Sequence, residues 1–201
     1  MKLYLNKASP YARLVQVVAH EKALNERIEL VWTDPWKASS EFLAINPYSK
    51  VPTLVTDDGE AIVDSGCICD YFDHIGDGRR LMADGLSGRS RTLRKYGLGR
   101  GLIDVSFGVV IERRFLGQDT KSVLVERWHA AVHRALEALE HEKALARTGE
   151  LPDIGDLAIA VGLGYIEFRL AEIRWRPSSP QLSTWYDRLA ARASMRATAP
   201  E

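Results

Sequence analysis

The segment S-P-Y-A-R at residues 9–13 holds the side chains best placed for chemistry. Alternating apolar residues over Lys2–Leu5 predict a short strand, and the apolar spacing from Pro10 to about Ala23 predicts a helix. Ser9 then stands at the N-cap, with Pro10 as the first helical residue. A hydroxyl at this position can hydrogen-bond an anion while the helix dipole adds a favourable field. The same residues also make an ordinary Ser-Pro helix start, so this segment alone leaves both interpretations open.

A second set of polar residues surrounds a predicted β-hairpin. The segment N-P-Y-S-K-V-P-T-L-V occupies residues 46–55, and an Asp-Gly turn at residues 58–59 separates it from the apolar run 61–63. An Asp-Gly pair between two apolar runs predicts a hairpin. Asp64 and Ser65 follow where a helix to Ile75 would begin, as residues that can accept hydrogen bonds from the first free amides.

These segments depend on a scaffold that the first eighty residues predict. Strand, helix, strand, helix, hairpin and helix follow in that order, which is the layout of a thioredoxin-like unit with a small mixed sheet. Function on such a unit concentrates at the first strand-to-helix turn, where Ser9 lies. We expect this domain at residues 1–76 and a linker at 77–86. The remaining predicted elements are strands at Arg27–Trp32, 51–55 and 61–63, and helices near Ser39–Ile45 and 66–75.

The second half of the chain reads as an all-helical domain over residues 87–201. Asp153 and Asp156 are spaced three apart just ahead of an apolar run, a carboxylate variant of the capping box, so they predict a sharply defined helix start. One buried stripe is expected on that helix. It comprises Leu157, Ala160, Val161, Gly164, Tyr165 and Phe168. The predicted helices span residues 89–114, 122–147, 154–170 and 181–193.

Composition excludes several classes of function. The 201 residues hold 27 Lys and Arg against 27 Asp and Glu, and a net charge of zero argues against a surface that follows nucleic-acid phosphates. The longest apolar stretch, near residues 157–166, is too short to span a bilayer. Two cysteines cannot build a structural zinc site, and the five histidines show no HExxH spacing, so we assign no metal.

The cysteines indicate the redox compartment. Cys67 and Cys69 lie two apart in a predicted helix, so they point to nearly opposite faces and cannot form a disulfide with each other. We interpret both as buried helix residues rather than redox groups. Disulfide exchange at the first turn is excluded, because Ser9 cannot form a mixed disulfide. We expect a reducing, cytoplasmic location, since the N-terminus lacks a secretory apolar core.

With these motifs, the sequence resembles the cytosolic glutathione transferases, and in particular bacterial serine-type members with an S-P-Y-A-R turn. In that family an N-P-x-x-K-V-P-x-L segment supplies a cis-proline before the third strand, which Pro52 matches. An acidic residue followed by serine opens the third helix, which Asp64 and Ser65 match. The resemblance covers nearly the whole chain, because the helical half and the Asp153–Asp156 element are also similar.

The resemblance implies a set of glutathione contacts. The Val51 backbone would pair with the cysteinyl part of glutathione as an added strand. Asp64 would face the α-ammonium group, and Ser65 with the helix amides would bind the γ-glutamyl carboxylate. Lys50 and Lys37 would lie near the glycyl carboxylate, although a single lysine is more often a solvated surface charge.

Ser9 would take the family's serine role, donating a hydrogen bond to the glutathione sulfur. Tyr11 is the alternative donor, since a phenol activates the thiol in other classes. The second substrate would be a small hydrophobic electrophile, held between the first turn and the predicted helix 89–114. The resemblance leaves three functions open. The first is conjugation of glutathione to electrophiles, and the second is reduction of peroxides or disulfides with glutathione. The third is binding of glutathione or another ligand without turnover. The resemblance also implies a homodimer.

Overall fold

Four short strands form one mixed sheet in the first eighty residues. They are β1 (Lys2–Leu5), β2 (Glu29–Trp32), β3 (Thr53–Val55) and β4 (Ala61–Val63), in the order β2-β1-β3-β4. β1 is parallel to β2 and antiparallel to β3, and β3 and β4 form an antiparallel hairpin. The helices between them are α1 (Pro10–Glu21), α2 (Ser40–Ile45) and α3 (Ser65–Ile75). This architecture confirms the predicted thioredoxin-like fold.

The structure, a computed structural model, describes residues 1–117, 122–143, 145 and 150–200. The chain divides into two units. The first is Met1–Arg80 together with the chain from Arg196 onward, and the second is Leu81–Met195. Within the described ranges, no helix is long and apolar enough to cross a membrane.

The alternation of β1 places helices on both faces of the sheet. Leu3 and Leu5 are fully buried, whereas the Tyr4 ring lies 5.4 Å from the Phe42 ring of α2. Because successive strand residues point to opposite faces, Leu3 and Leu5 face away from α2. α1 and α3 pack against each other. α3 also packs on β3 and β4, so the sheet contacts both α2 and α3.

Two strands begin later than the sequence predicts. β2 starts at Glu29 rather than Arg27, because Asn25–Arg27 forms a 3-10 turn. β3 starts at Thr53 rather than Val51, because Pro52 has no amide hydrogen to donate to the sheet. β2 begins at the end of the sheet where β1 begins, so only the later start of β3 lengthens a loop at the candidate site.

The second unit is helical, as predicted. The predicted helix 89–114 is extended to Leu86–Leu116, and the predicted helix 122–147 ends at Glu140, with residues 144, 146 and 147 outside the described part. The predicted helix 181–193 begins at Pro180 and ends at Ala190, and a separate short helix begins at Ala193. The elements are α4 (Leu86–Leu116), α5 (Val123–Glu140), α6 (Ile154–Arg169), α7 (Pro180–Ala190) and α8 (Ala193–Ala197).

The prediction of one buried stripe on α6 is wrong. Every residue from Ile154 to Ile166 is buried, and Phe168 is only half-buried. α4 and α7 both pack on this helix. A Cβ added at Gly99 of α4 would lie 2.5 Å from the Ile159 amide nitrogen, so the two helix backbones approach closely there. A helix that is apolar all round is therefore buried on all sides, as expected for a central helix.

The predicted capping box starts α6. The Asp153 carboxylate accepts the Asp156 amide at 3.0 Å, and the Asp156 carboxylate accepts the Asp153 amide at 3.0 Å. Lys95 Nζ lies 2.8 Å from each carboxylate, and Thr92 donates to Asp153. Burial opposes ionisation of Asp153, but the hydrogen bonds from Lys95 and the Asp156 amide outweigh it and lower its pKa. Burial and the neighbouring Asp153 charge raise the pKa of Asp156. The box is thus joined to α4 by one buried ammonium group.

A second charged cluster links α4, α5 and the segment after α6. Arg113 pairs with Glu172 at 2.5 Å, and its Nη2 lies 2.8 Å from Nε2 of His129. Burial and the Arg113 charge lower the pKa of His129. A guanidinium facing Nε2 requires that nitrogen to be an acceptor, so the imidazole is neutral in the folded state.

Acidification from pH 7.5 to 5.5 is expected to destabilise the protein through His129. In the unfolded chain the histidine has a pKa of about 6.5 and binds a proton in this range. In the folded chain its pKa is lower and it stays neutral. The free energy of unfolding therefore decreases as the pH falls. His129→Gln keeps an acceptor for Arg113 and should reduce the loss in Tm between these pH values by about 1–2 °C. His141→Gln, at the exposed end of α5, controls for removal of a histidine as such. An identical pH dependence in His129→Gln and wild type would contradict the assignment.

Candidate functional site

The loops that carry the predicted site residues project from one end of the sheet. Tyr4, Thr53 and Val63 pair in a row across β1, β3 and β4. The turn after β1, the loop before β3 and the start of α3 after β4 therefore leave the sheet at the same edge. Leu5 pairs with Trp32, so the loop after β2 leaves there too. The fold thus brings together the segments that contain Ser9, Lys37, Lys50, Val51, Asp64 and Ser65.

Ser9 is the N-cap of α1, as predicted. Its backbone is extended, with φ −82° and ψ 118°, and its Oγ accepts a hydrogen bond from the Ala12 amide at 3.2 Å. The side chain is half-buried, and the hydroxyl hydrogen is donated to no described residue. Because the oxygen already accepts an amide, the hydroxyl remains a donor at the positive end of the helix. Tyr11 is the second residue of α1 and is also half-buried.

Asn6 holds the turn that leads to Ser9. Its Oδ1 accepts the Ala8 amide at 3.0 Å, and its Nδ2 lies 3.5 Å from the Thr33 carbonyl oxygen just after β2. The Ser9 amide in turn donates to the Asn6 carbonyl at 3.2 Å. No sequence motif singled out Asn6, although an Asn just before a tight turn is a general signal for such backbone contacts.

The Val51–Pro52 peptide bond is cis, as the family resemblance implies. Val51 is half-buried, and neither its amide nor its carbonyl pairs with any described residue. Nearly all buried backbone groups in proteins are hydrogen-bonded, so a free pair beside the turn of Ser9 is open to an extended ligand.

Buried Asn46 supports the loop before Val51. Its Nδ2 donates to the Lys50 carbonyl at 2.9 Å and to Thr53 Oγ1 at 2.8 Å, while its Oδ1 accepts the Tyr48 amide at 3.0 Å. Thr53 Oγ1 also donates to the Lys50 carbonyl. Asn46 therefore has a structural role, because its side-chain hydrogen bonds hold a loop that has no regular backbone hydrogen bonding of its own.

Asp64 occupies an unusual backbone conformation at the start of α3. Its φ is +76° and its Oδ1 accepts the Gly66 amide at 2.7 Å. A positive φ in a non-glycine residue costs about 1–3 kcal/mol and persists where the surroundings demand it, often at ligand sites. The carboxylate is exposed, and Ser65 beside it is buried. The sequence placed both residues at the helix start and gave no sign of the strained backbone.

The two candidate lysines are exposed and lie in neighbouring loops. Lys37 ends the 3-10 turn Pro35–Lys37, which Asp34 caps by accepting the Trp36 amide at 3.0 Å. Lys50 lies in the loop before β3, and the adjacent Ser49 donates from Oγ to the Pro35 carbonyl at 2.7 Å. The hydrogen bond from Ser49 to Pro35 therefore joins the two segments that carry Lys37 and Lys50.

The two cysteines and the histidines add no reactive or metal-binding group to this end of the sheet among the described residues. Cys69 is buried, but the prediction that Cys67 is buried is wrong, because it lies on the solvent-facing side of α3. Among described residues, no three His, Cys, Asp or Glu side chains converge in a way that could hold a metal ion.

Both halves of the chain match glutathione S-transferase domain families. Residues 8–75 match the model of the glutathione S-transferase N-terminal domain, and residues 122–188 match that of the C-terminal domain. The uncharacterized GST-like protein YibF of Escherichia coli K12 is 27% identical, over 100% of this chain and 98% of its own.

Two solved bacterial structures are similar over the full chain. A glutathione transferase family member from Pseudomonas fluorescens Pf-5, with S-(propanoic acid)-glutathione bound, is 33% identical, with a TM-score of 0.87 and 100% of both chains covered. A glutathione S-transferase from Methylobacillus flagellatus KT, with glutathione bound, is 30% identical, with a TM-score of 0.88, covering 100% of this chain and 99% of its own.

Proposed function

The chain belongs to the glutathione S-transferase family, and on this premise we propose that it binds glutathione at the sheet edge and joins the glutathione sulfur to a hydrophobic electrophile. The observation that carries the proposal is that the amide and carbonyl of Val51 pair with no residue in the described part of the chain. They lie beside the cis-proline at the same edge as Ser9 and Asp64. An extended thiol peptide can pair with that backbone as a short added strand.

Charge along the edge matches glutathione from end to end. The exposed Asp64 carboxylate pairs with the α-ammonium group, and Ser65 and the first amides of α3 bind the γ-glutamyl carboxylate. We assign the glycyl carboxylate to Lys37 and Lys50, whose two segments are joined by the bond from Ser49 to Pro35. The Val51 pairing sets the register between these charges, so the cysteinyl sulfur is directed to the first turn.

Ser9 is the proposed thiol activator. A thiol of pKa about 8.5 is only about 3% ionised at pH 7, and lowering that pKa by about two units makes most of it thiolate. The change corresponds to about 2.7 kcal/mol of preference for the anion. A hydrogen bond to a charged group supplies about 1.5–3 kcal/mol and the helix terminus about 0.3–1 kcal/mol, so the two together suffice.

The bound thiolate would attack an electrophilic carbon directly and form a C–S bond. Either a leaving group departs with its bonding electron pair, or an activated double bond takes up the pair and the resulting carbanion is protonated by water. The serine hydroxyl keeps its proton throughout. The Pseudomonas fluorescens relative, solved with a glutathione that carries a propanoic acid group on sulfur, supports a site that also accepts a conjugate. A peroxide or a disulfide is the other class of acceptor that the same thiolate could attack.

A second function is binding without turnover. The observation that favours it is the hydrogen bond from the Ala12 amide to Ser9 Oγ, since the serine already serves as an ordinary N-cap. Such a protein would bind glutathione and leave the pKa of its thiol unchanged. Thiolate absorbance measured against pH in the complex separates the two functions, because only the transferase lowers that pKa.

Glutathione titration by calorimetry tests the binding proposal, with Asp64→Asn as the critical variant. Asparagine tolerates a positive φ and still caps the helix, so the substitution removes the charge and little else. Loss of the pair with the α-ammonium group should raise Kd about tenfold. Asp70→Asn, an exposed charge change on the same helix, should leave Kd unchanged. Equal affinity for wild type and Asp64→Asn would contradict the assignment.

We also propose a cytoplasmic homodimer. Exposed apolar side chains at the N-terminal unit, with Trp36 52% and Tyr48 70% accessible, support a further protein contact. The free, exposed Cys67 suits a reducing compartment. Light scattering at micromolar concentration should give the mass of two chains, and a single-chain mass would contradict the dimer. Cell fractionation tests the location.

A further inference from the structure

Ser49 joins two segments that are separate in sequence. Its Oγ donates to the Pro35 carbonyl at 2.7 Å, across fourteen residues. Pro35 opens the 3-10 turn that ends at Lys37, and Ser49 directly precedes Lys50. The bond therefore fixes the turn that carries Lys37 relative to the loop that carries Lys50.

The backbone of Ser49 is in the left-handed region, with φ +50°. Its amide donates to the Asn46 carbonyl at 3.0 Å, which holds this turn of the loop. Glycine would adopt the same conformation at lower cost, but it could not make the bond to Pro35. The conformation of the loop therefore does not explain the serine, whereas the hydrogen bond of its side chain to Pro35 does.

Two exposed lysines bind a carboxylate weakly when each moves independently. Long charged side chains lose rotamer freedom on pairing, and solvent screens each contact. When the two attachment points are fixed relative to each other, less freedom is lost as both ammonium groups converge on one ligand. The Ser49 bond supplies that constraint between the 35–37 turn and the 46–51 loop.

We propose that Ser49 is a positioning residue that sets the affinity of the site for the glycyl end of glutathione. It acts through Lys37 and Lys50 and does not touch the thiol. The inference rests on the proposed glutathione site, and it predicts discrimination between glutathione and γ-glutamylcysteine, which lacks the glycyl residue.

Calorimetric titration of both peptides tests the proposal on wild type, Ser49→Ala and Ser49→Gly. Each variant loses the bond to Pro35, while glycine also relieves the positive φ. We expect Kd for glutathione to rise about three- to tenfold in both, and Kd for γ-glutamylcysteine to stay within about twofold. Ala23→Gly, at another positive-φ residue of the same unit, is the matched control for backbone relief and should change neither affinity.

The outcomes separate the proposals. Equal weakening of both peptides, or of neither, would overturn the role of Ser49 while leaving the glutathione site standing. Recovery of wild-type affinity in Ser49→Gly would show that the backbone matters and the hydroxyl does not, which also overturns it. Failure of the wild-type protein to bind glutathione would overturn the proposed function, and this inference with it.

Discussion

Replacing Ser9 by alanine is expected to reduce kcat/KM for glutathione conjugation at pH 7 about 25-fold, with a smaller change in Kd for glutathione. Without the donor, the fraction of bound glutathione present as thiolate falls from about 76% at a pKa of about 6.5 to about 3% at a pKa of about 8.5. The Ser9 hydroxyl is such a donor because its oxygen accepts the Ala12 amide and its hydrogen is donated to no described residue. In the complex, the pKa of the bound thiol should rise towards about 8.5.

The loss of the helix cap must be separated from the loss of thiol activation. Ser9→Ala removes the N-cap as well as the donor, and the cap alone is worth about 0.5–2 kcal/mol of stability. Ser9→Thr keeps both functions and should retain most activity. Ser9→Asp keeps the cap but offers only acceptors near neutral pH, so it should be as inactive as Ser9→Ala while remaining folded.

Tyr11→Phe decides between the two candidate donors. If Ser9 activates the thiol, this variant should keep an activity close to that of wild type, because Tyr11 lies two residues further along α1. Full conjugation rates in Ser9→Ala, together with loss of activity in Tyr11→Phe, would transfer the role to the tyrosine. Glutathione binding with an unshifted thiol pKa in wild type would instead favour the non-catalytic protein.

Local signals explain which parts of the fold could be predicted. β1, the start of α1 at Pro10 and the capping box at Asp153 all depend on residues within a few positions, and all three agree with the sequence prediction. The hairpin around Gly59 has φ +88° at that glycine, as an Asp-Gly turn predicts. Short-range chemistry alone fixes these elements.

Long-range contacts explain the parts that could not be predicted. The burial of α6 on all sides depends on α4 and α7, which its own periodicity does not contain. The positive φ of Asp64 and the free backbone of Val51 are properties of the folded chain. The bond from Ser49 to Pro35 joins loops whose proximity follows only from the pairing of three strands. The sequence motifs therefore predicted the candidate site residues, but not the contacts that position them.

The largest stability effect is expected from Asp73→Asn, which should lower the free energy of unfolding by about 3–5 kcal/mol. Asp73 and Lys22 are each 1% exposed, and Lys22 Nζ lies 3.4 Å from the carboxylate. Lys22 also donates to the Arg79 carbonyl at 2.9 Å, and Arg80 donates to Asp73 at 3.1 Å. The asparagine leaves a buried ammonium group without its counter-charge, and desolvation of that charge is the main cost.

Urea unfolding of the full chain measures this loss, and a double variant identifies its cause. Lys22→Met combined with Asp73→Leu removes both buried charges and fills their volume, so it should recover most of the lost stability, since Arg80 is one-third exposed and can turn to solvent. Lys22→Met alone should cost less than Asp73→Asn, because Arg80 still pairs with the carboxylate. A double variant no more stable than Asp73→Asn would show that packing between α1 and α3 at Lys22, and not the unpaired charge, determines the cost. The close approach of Gly76 at this point, where an added Cβ would lie 2.5 Å from the Lys22 Cβ, makes that packing the natural competing explanation.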